Sequence, residues 1–264
     1  MFWRKWPALN SKNLPPLVLL HGGFGSWTHW IANIEYFACN RDVIVPDLPG
    51  LGSSATPPIP HTVEGLSKII SDGLGLVLAG RNNFHLVGFS FGGLLGSAVA
   101  VAQGACCKSF VAVGASGFGK LHNVIDGLIL PGPNWTEEER RKAHLRNLEL
   151  LMIKETKNID ELAVYCHDSN IHHARMKSRK MSLSDGFFQN LPNIRSRVGG
   201  IWGEFDSTAG GEKLISLRRD IIHRHDPSSL FQIISGAGHW VMYETPSIFN
   251  KTLNSMILHY ESSL

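Results

Sequence analysis

Short apolar runs recur along the first half of the chain, each closed by glycine or a polar turn. Leu17-Val18-Leu19-Leu20 ends at His21-Gly22-Gly23, and Val43-Ile44-Val45 at Pro46-Asp47. Phe84-His85-Leu86-Val87 ends at Gly88, and Phe110-Val111-Ala112-Val113 at Gly114. Runs this short, rich in Val, Leu and Ile and apolar on both faces, suit strands buried in a parallel sheet. Between them the spacing turns helical. Leu66, Ile69, Ile70 and Leu74 repeat within Val63 to Leu78, and Gly93 to Gln103 is small and apolar all round, as a helix pressed onto a sheet would be. The alternation predicts an α/β fold with a parallel sheet and right-handed crossovers.

The pattern breaks after Gly119. Residues 120–196 carry more charge and no clear strand. Thr136 with Glu139 three positions on has the form of a capping box, so a helix starts there and an amphipathic helix follows over Arg140 to Met152. The expectation is a helical cap at 120–196 set into a core of 1–119 and 197–264. Sheet pattern returns with Val198-Gly199-Gly200-Ile201-Trp202 and with Ser229 to Ile234, and Pro246 to His259 reads as a closing helix.

Composition narrows the class. The chain has 264 residues, 43% apolar and 18% charged, which suffices for a large core without disulfide or metal. A net charge of +3 gives no basic stripe of the kind nucleic-acid binding needs, and the basic runs Glu139 to Arg146 and Arg175 to Lys180 read as solvated helix faces. Cys39, Cys106, Cys107 and Cys166 lack metal-ligand spacing and suit a reducing compartment. Met1 to Pro16 lacks an apolar leader, and no run reaches the length of a membrane span. The expectation is a cytoplasmic enzyme for a small-molecule substrate, without cofactor, metal, nucleic acid or membrane, with a homodimer left open.

The chemistry concentrates in Val87-Gly88-Phe89-Ser90-Phe91-Gly92-Gly93, a GxSxG directly between a predicted strand and a predicted helix. A serine on so tight a turn needs neighbours without bulk, and the helix that follows aims its N-terminus at developing negative charge. The N–H of Phe91 is then an oxyanion donor. A serine hydroxyl needs a base. Of 13 histidines, His239 has the fitting context, in the small-residue loop Gly236 to Trp240 ahead of the last helix. Asp206, just past the strand ending at Trp202, orients that histidine, with Glu204 its nearest rival; Asp226 precedes its strand and sits at the wrong edge. The order Ser, Asp, His fits this reading. His21-Gly22-Gly23-Phe24-Gly25 offers the second oxyanion donor, the N–H of Gly23. Phe24, Phe89 and Trp240, with Leu128 and Trp135 from the cap, are the expected walls of the substrate pocket.

These stretches, together with Trp30 and Asp47-Leu48-Pro49-Gly50-Leu51-Gly52-Ser53-Ser54, resemble the α/β-hydrolase superfamily over nearly the whole chain. The resemblance implies an eight-stranded, mostly parallel sheet with the cap inserted after strand six. Only some sixteen residues precede Leu17, so one edge strand is expected to be short or absent, giving seven. Gly238-His239-Trp240 and Val113 to Gly117 look most like the meta-cleavage-product hydrolases, which split carbon–carbon bonds in ring-fission products of aromatic degradation. That group implies a cap arginine for a substrate carboxylate, here Arg175 or Arg179. It also has asparagine before the nucleophile where this chain has Phe89, which favours a less polar pocket. The leading expectation is therefore hydrolysis of small carboxylic esters. Carbon–carbon hydrolysis on the same triad is the alternative, and a non-catalytic ligand receptor on the same fold is the reading from another class.

Overall fold

The computed structural model describes residues 1–10, 13–78, 80–123 and 125–262. Seven strands form one sheet among these residues: β1 (Phe2–Trp6), β2 (Leu17–Leu20), β3 (Val43–Asp47), β4 (Phe84–Phe89), β5 (Cys107–Val113), β6 (Arg197–Gly203) and β7 (Phe231–Ile234). They lie in the order β1-β3-β2-β4-β5-β6-β7, with β1 antiparallel to β3 and the rest parallel. One strand precedes β2 among the described residues, in keeping with the short N-terminal stretch and the seven-stranded alternative. The helical segment accordingly follows the fifth of seven strands, not the sixth of eight.

The central strands are buried on both sides, and their alternate residues feed two separate cores. Val18, Leu20, Leu86, Phe110 and Ala112 pack with Leu66, Ile70 and Leu74 of the helix Val63–Val77 and with Leu94 and Val99 of the helix Phe91–Gln103. Leu17, Leu19, Val87, Phe89, Val111 and Val113 face the other way, onto Trp30, Phe37 and the C-terminal helix Pro246–Ser262. At about 1.5–3 kcal/mol for each large apolar side chain removed from water, this two-sided burial explains why the strands read as continuous apolar runs.

The C-terminal helix is tied to the lower end of the sheet by polar contacts. Glu261 accepts from Arg41 at 2.9 Å and meets His85 Nε2 at 3.0 Å, and His85 Nδ1 meets Ser109 Oγ at 2.8 Å. Tyr260 donates to the Val198 carbonyl at 3.1 Å and accepts from the Leu230 N–H at 2.9 Å.

Between β5 and β6 the described residues hold helices and no strand. Thr136 and Glu139 form the capping box reciprocally, at 3.2 and 2.8 Å, and open the helix Glu137–Asn147. That helix ends earlier than its apolar pattern predicts, because Leu148–Met152 winds into a π-helical turn. Asp160 caps the next helix, Glu161–His172, through the Ala163 N–H at 2.8 Å. No helix among the described residues is long and apolar enough to cross a membrane.

Candidate active site

Strand β4 delivers Ser90 to the edge of the sheet, at the start of the helix Phe91–Gln103. Ser90 sits at φ +52°, ψ −115°, a backbone region costly for any residue with a side chain. The surrounding contacts enforce it. The Ser90 N–H donates to Val113 O at 2.9 Å, and its carbonyl accepts from Gly93 N at 2.9 Å and Ser116 N at 3.1 Å. A Cβ on Gly88 would lie 2.7 Å from the Gly93 Cα, and one on Gly92 would lie 2.6 Å from the Leu20 carbonyl oxygen. Gly88 meets the other arm of the turn and Gly92 meets the end of β2, both at backbone distance, which is why both positions are glycine.

His239 and Asp206 meet. Nδ1 of His239 is 2.9 Å from Oδ2 of Asp206, and both residues are almost wholly buried. The carboxylate's other oxygen accepts from the Thr208 N–H at 2.9 Å and the Thr208 hydroxyl at 2.8 Å. Burial alone would push the Asp206 carboxyl up, but the His239 ring and the Thr208 donors outweigh it and hold it below the ordinary carboxylate value. An anionic Asp206 accepts a hydrogen bond from His239 Nδ1–H, the tautomer that leaves Nε2 with its lone pair. Gly114 lies beneath the pair: a Cβ there would be 2.9 Å from Asp206 Oδ2 and 3.1 Å from His239 Nδ1. Glu204, the rival acid, is committed elsewhere, to the Ser235 hydroxyl at 2.6 Å and the Gly236 N–H at 2.9 Å. The Ser90 hydroxyl makes no hydrogen bond to another described group in this structure.

The glycine loop after β2 is fixed by two neutral histidines. His21 Nε2 accepts from the Leu48 N–H at 2.8 Å, so its Nδ1 donates to Gly22 O at 2.8 Å. Burial brings His21 down to about 4. His29 Nδ1 accepts from the Gly22 N–H at 3.2 Å, and burial, followed by the nearby rings of His21, His167 and His239, holds it well below the ordinary histidine value. The N–H groups of Gly23 and Phe91 have no intramolecular acceptor among the described residues. Ser178 of the inserted segment lies directly over Gly23, where a Cβ would collide with its hydroxyl.

The five expected pocket residues do not gather into one wall. Phe89 and Trp240 are each 1% exposed and spend their faces on packing. The Phe89 ring lies 4.8 Å from His239, 5.4 Å from His29 and 6.5 Å from Trp30. Trp240 stacks on Tyr243 at 4.2 Å and donates Nε1–H to His29 O at 2.8 Å. Phe24, at φ +50°, and Leu128 are both partly exposed, while Trp135 folds back over Gly132. Arg175 is not free for a substrate carboxylate: its guanidinium donates to the carbonyls of Gly52, Ser54 and His173, joining the inserted segment to the loop after β3. Arg179 is exposed, within electrostatic reach of His122.

A cavity of about 470 Å³ opens beside the pair, between residues 149–154 of the inserted segment and the loops carrying Phe205, Asp206, Gly238 and His239. The inserted segment is bonded to the core here. Trp240 N–H donates to Met152 O at 2.7 Å, and the Ser207 hydroxyl to Leu151 O at 2.8 Å. Three contributors left no readable motif. Thr208 follows Asp206 by two positions, a common enough spacing to carry no signal. His29 was one of many histidines. Glu244 was visible only as a carboxylate five positions past His239.

The profile of the Alpha/beta hydrolase family matches residues 17–252, and the chain belongs to this family. Among curated relatives, the dihydrolipoyllysine-residue acetyltransferase component of the acetoin cleaving system of Pseudomonas putida is 32% identical over 122 residues. That match covers 45% of this chain and 32% of the relative, so the chain spans about a third of that protein's length. The 2-hydroxy-6-oxo-2,4-heptadienoate hydrolase of a Pseudomonas putida strain is 25% identical over 257 residues, covering 92% of this chain and 88% of that enzyme. Among solved structures, an esterase from a Rhodococcus species superposes with a TM-score of 0.73 at 20% identity, covering 97% of this chain and 93% of its own.

Proposed function

We propose that the protein hydrolyses small carboxylic esters through an acyl-enzyme on Ser90, His239 and Asp206, with the inserted segment 120–196 serving as a cap over the site. The observation that carries this reading is the buried 2.9 Å contact between His239 and Asp206, on loops that follow two neighbouring strands, with a strained Ser90 at a helix N-terminus. Ser90 Oγ attacks the ester carbonyl while His239 Nε2 takes its proton, and Asp206 stabilises the imidazolium. The N–H groups of Gly23 and Phe91 hold the oxyanion. Collapse breaks the carbonyl–alkoxy bond, and His239 returns the proton to the departing alcohol. Water, deprotonated by His239, then attacks the acyl-enzyme, and the carboxylic acid leaves as Ser90 regains its hydrogen. The four free cysteines fit a reducing compartment, so the reading places the enzyme in the cytoplasm.

The preference for esters rests on two features. Phe89 puts an apolar ring, not a polar group, beside the nucleophile, and Arg175 is bound to backbone carbonyls. Carbon–carbon hydrolysis is the second reading, favoured by the relative that aligns over 92% of the chain. A panel of short p-nitrophenyl esters and 2-hydroxy-6-oxo-dienoates separates the two. Ester turnover that Ser90→Ala abolishes is the expected result. Turnover of dienoates with esters untouched would overturn the ester reading, and ligand binding without any turnover would indicate a receptor.

A further inference from the structure

We propose that Glu244 is a positioning residue for the general base, locking the His239 loop to the inserted segment at residues 152–155. The inference rests on the reading of His239 as that base. Glu244 ends the short helix Val241–Glu244 and is 8% exposed. It has no cationic partner among the described residues; its carboxylate accepts from three backbone N–H groups instead. Oε2 takes Gly238 at 2.7 Å and Lys154 at 3.1 Å, and Oε1 takes Glu155 at 2.7 Å. Hydrogen bonds to an ionised acceptor are the strong kind, and three on one buried carboxylate make a rigid node.

The node acts on His239 from both sides. The residue before it, Gly238, has its N–H held by Glu244. The residue after it, Trp240, has its N–H held by Met152 O at 2.7 Å. With both flanking amides pinned, the Cα of His239 has little freedom, and the Asp206 contact then fixes its ring. The approach leaves no slack: a Cβ on Gly238 would lie 2.8 Å from the Lys154 nitrogen. The same contacts make residues 152–155 move with the base. This edge of the inserted segment is therefore its fixed side, and any opening over Ser90 occurs away from it.

Glu244→Ala and Glu244→Gln test this, read by ester kinetics, by the rate of fluorophosphonate labelling of Ser90, and by the low-field proton resonance of the His239–Asp206 hydrogen bond. A misplacement on the order of 1 Å costs on the order of 10²-fold in rate. Glu244→Ala is expected to lower kcat and labelling by about that factor with KM little changed, and to broaden or remove the low-field signal. Glu244→Gln keeps one acceptor oxygen for Gly238 and is expected to recover part of the loss. Tyr260→Phe, at the opposite end of the sheet, serves as a destabilised control with kcat intact. If wild type is not labelled at Ser90, the serine-hydrolase reading itself fails. If wild type is labelled but both Glu244 variants label at the wild-type rate and keep the signal, Glu244 is merely structural and the inference is overturned. Should Glu244→Ala fail to fold, the Gln variant alone decides by the same criteria.

Discussion

Replacing Phe89 by alanine decides whether this ring belongs to the core or to the substrate. Phe89 is 1% exposed, at the end of β4, in the core cluster that also holds Trp30 and Trp240. Three aromatic or imidazole rings surround it within 6.5 Å, and Gly22 presses on its edge: a Cβ there would lie 3.0 Å from Phe89 Cδ1. Removing a buried phenylalanine side chain costs about 3–5 kcal/mol, because the void cannot close around a rigid sheet edge. For a chain of this size each kcal/mol lowers the melting point by roughly 2–4 °C, so Phe89→Ala is expected to melt roughly 6–20 °C below wild type. His239 loses the ring it rests on, so kcat should fall while KM holds, in assays run well below the transition. Calorimetry or circular dichroism gives the first quantity and ester kinetics the second. A variant that melts with wild type and changes only KM would make Phe89 a substrate contact and refute the packing argument.

Other outcomes follow from the same structure. Asp206→Asn keeps the shape but loses the anion that sets the His239 tautomer, and kcat on esters is expected to drop by roughly 10⁴-fold. Gly92→Ala drives a methyl to 2.6 Å from the Leu20 carbonyl oxygen and is expected to cost about 1–3 kcal/mol or more, read by urea denaturation. Thr136→Ala removes the capping box and is expected to cost about 1 kcal/mol, visible as faster proteolysis within 120–196 before global unfolding. Acid should loosen the C-terminal helix in two stages. Burial lowers the His85 pKa below its ordinary 6.5, so the unfolded chain binds the proton first and stability declines as pH falls past that value. Glu261 is pushed up by burial but brought down to about 2 by His85 and Arg41, so its contribution is full above 4.5 and lost as pH falls from there towards 2. Glu261→Gln should flatten the second stage, measured by denaturation midpoints across pH.

The sequence made the centre of the sheet legible because burial on both faces leaves mainly apolar residues in β2 to β5, Asp47, His85, Lys108 and Ser109 being the exceptions. β1 offered no such run. It is an edge strand of Phe, Trp, Arg and Lys, half exposed, and its pairing with β3 depends on Arg4 reaching Asp47 and Lys5 reaching Asp42. β7 begins two residues later than its apolar pattern, because Ser229 closes a turn on Asp226 and holds His223 at 2.7 Å. The placement of the candidate residues Ser90, Asp206 and His239 at one end of the sheet was legible because each follows a parallel strand closely. Side-chain commitments were not readable. Arg175 donates to the carbonyls of Gly52 and Ser54, and Phe89 and Trp240 pack against neighbouring rings, commitments that no local motif encodes. Such choices depend on which elements meet across the sheet edge, information that no local pattern contains.

The most direct measurement is intact-mass and peptide-mapping analysis after exposure to a fluorophosphonate. One adduct is expected, on the peptide carrying Ser90, slowed strongly by His239→Ala and absent from Ser90→Ala. Full-rate labelling in the His239 variant, an adduct on another residue, or no adduct on a folded wild type would contradict it.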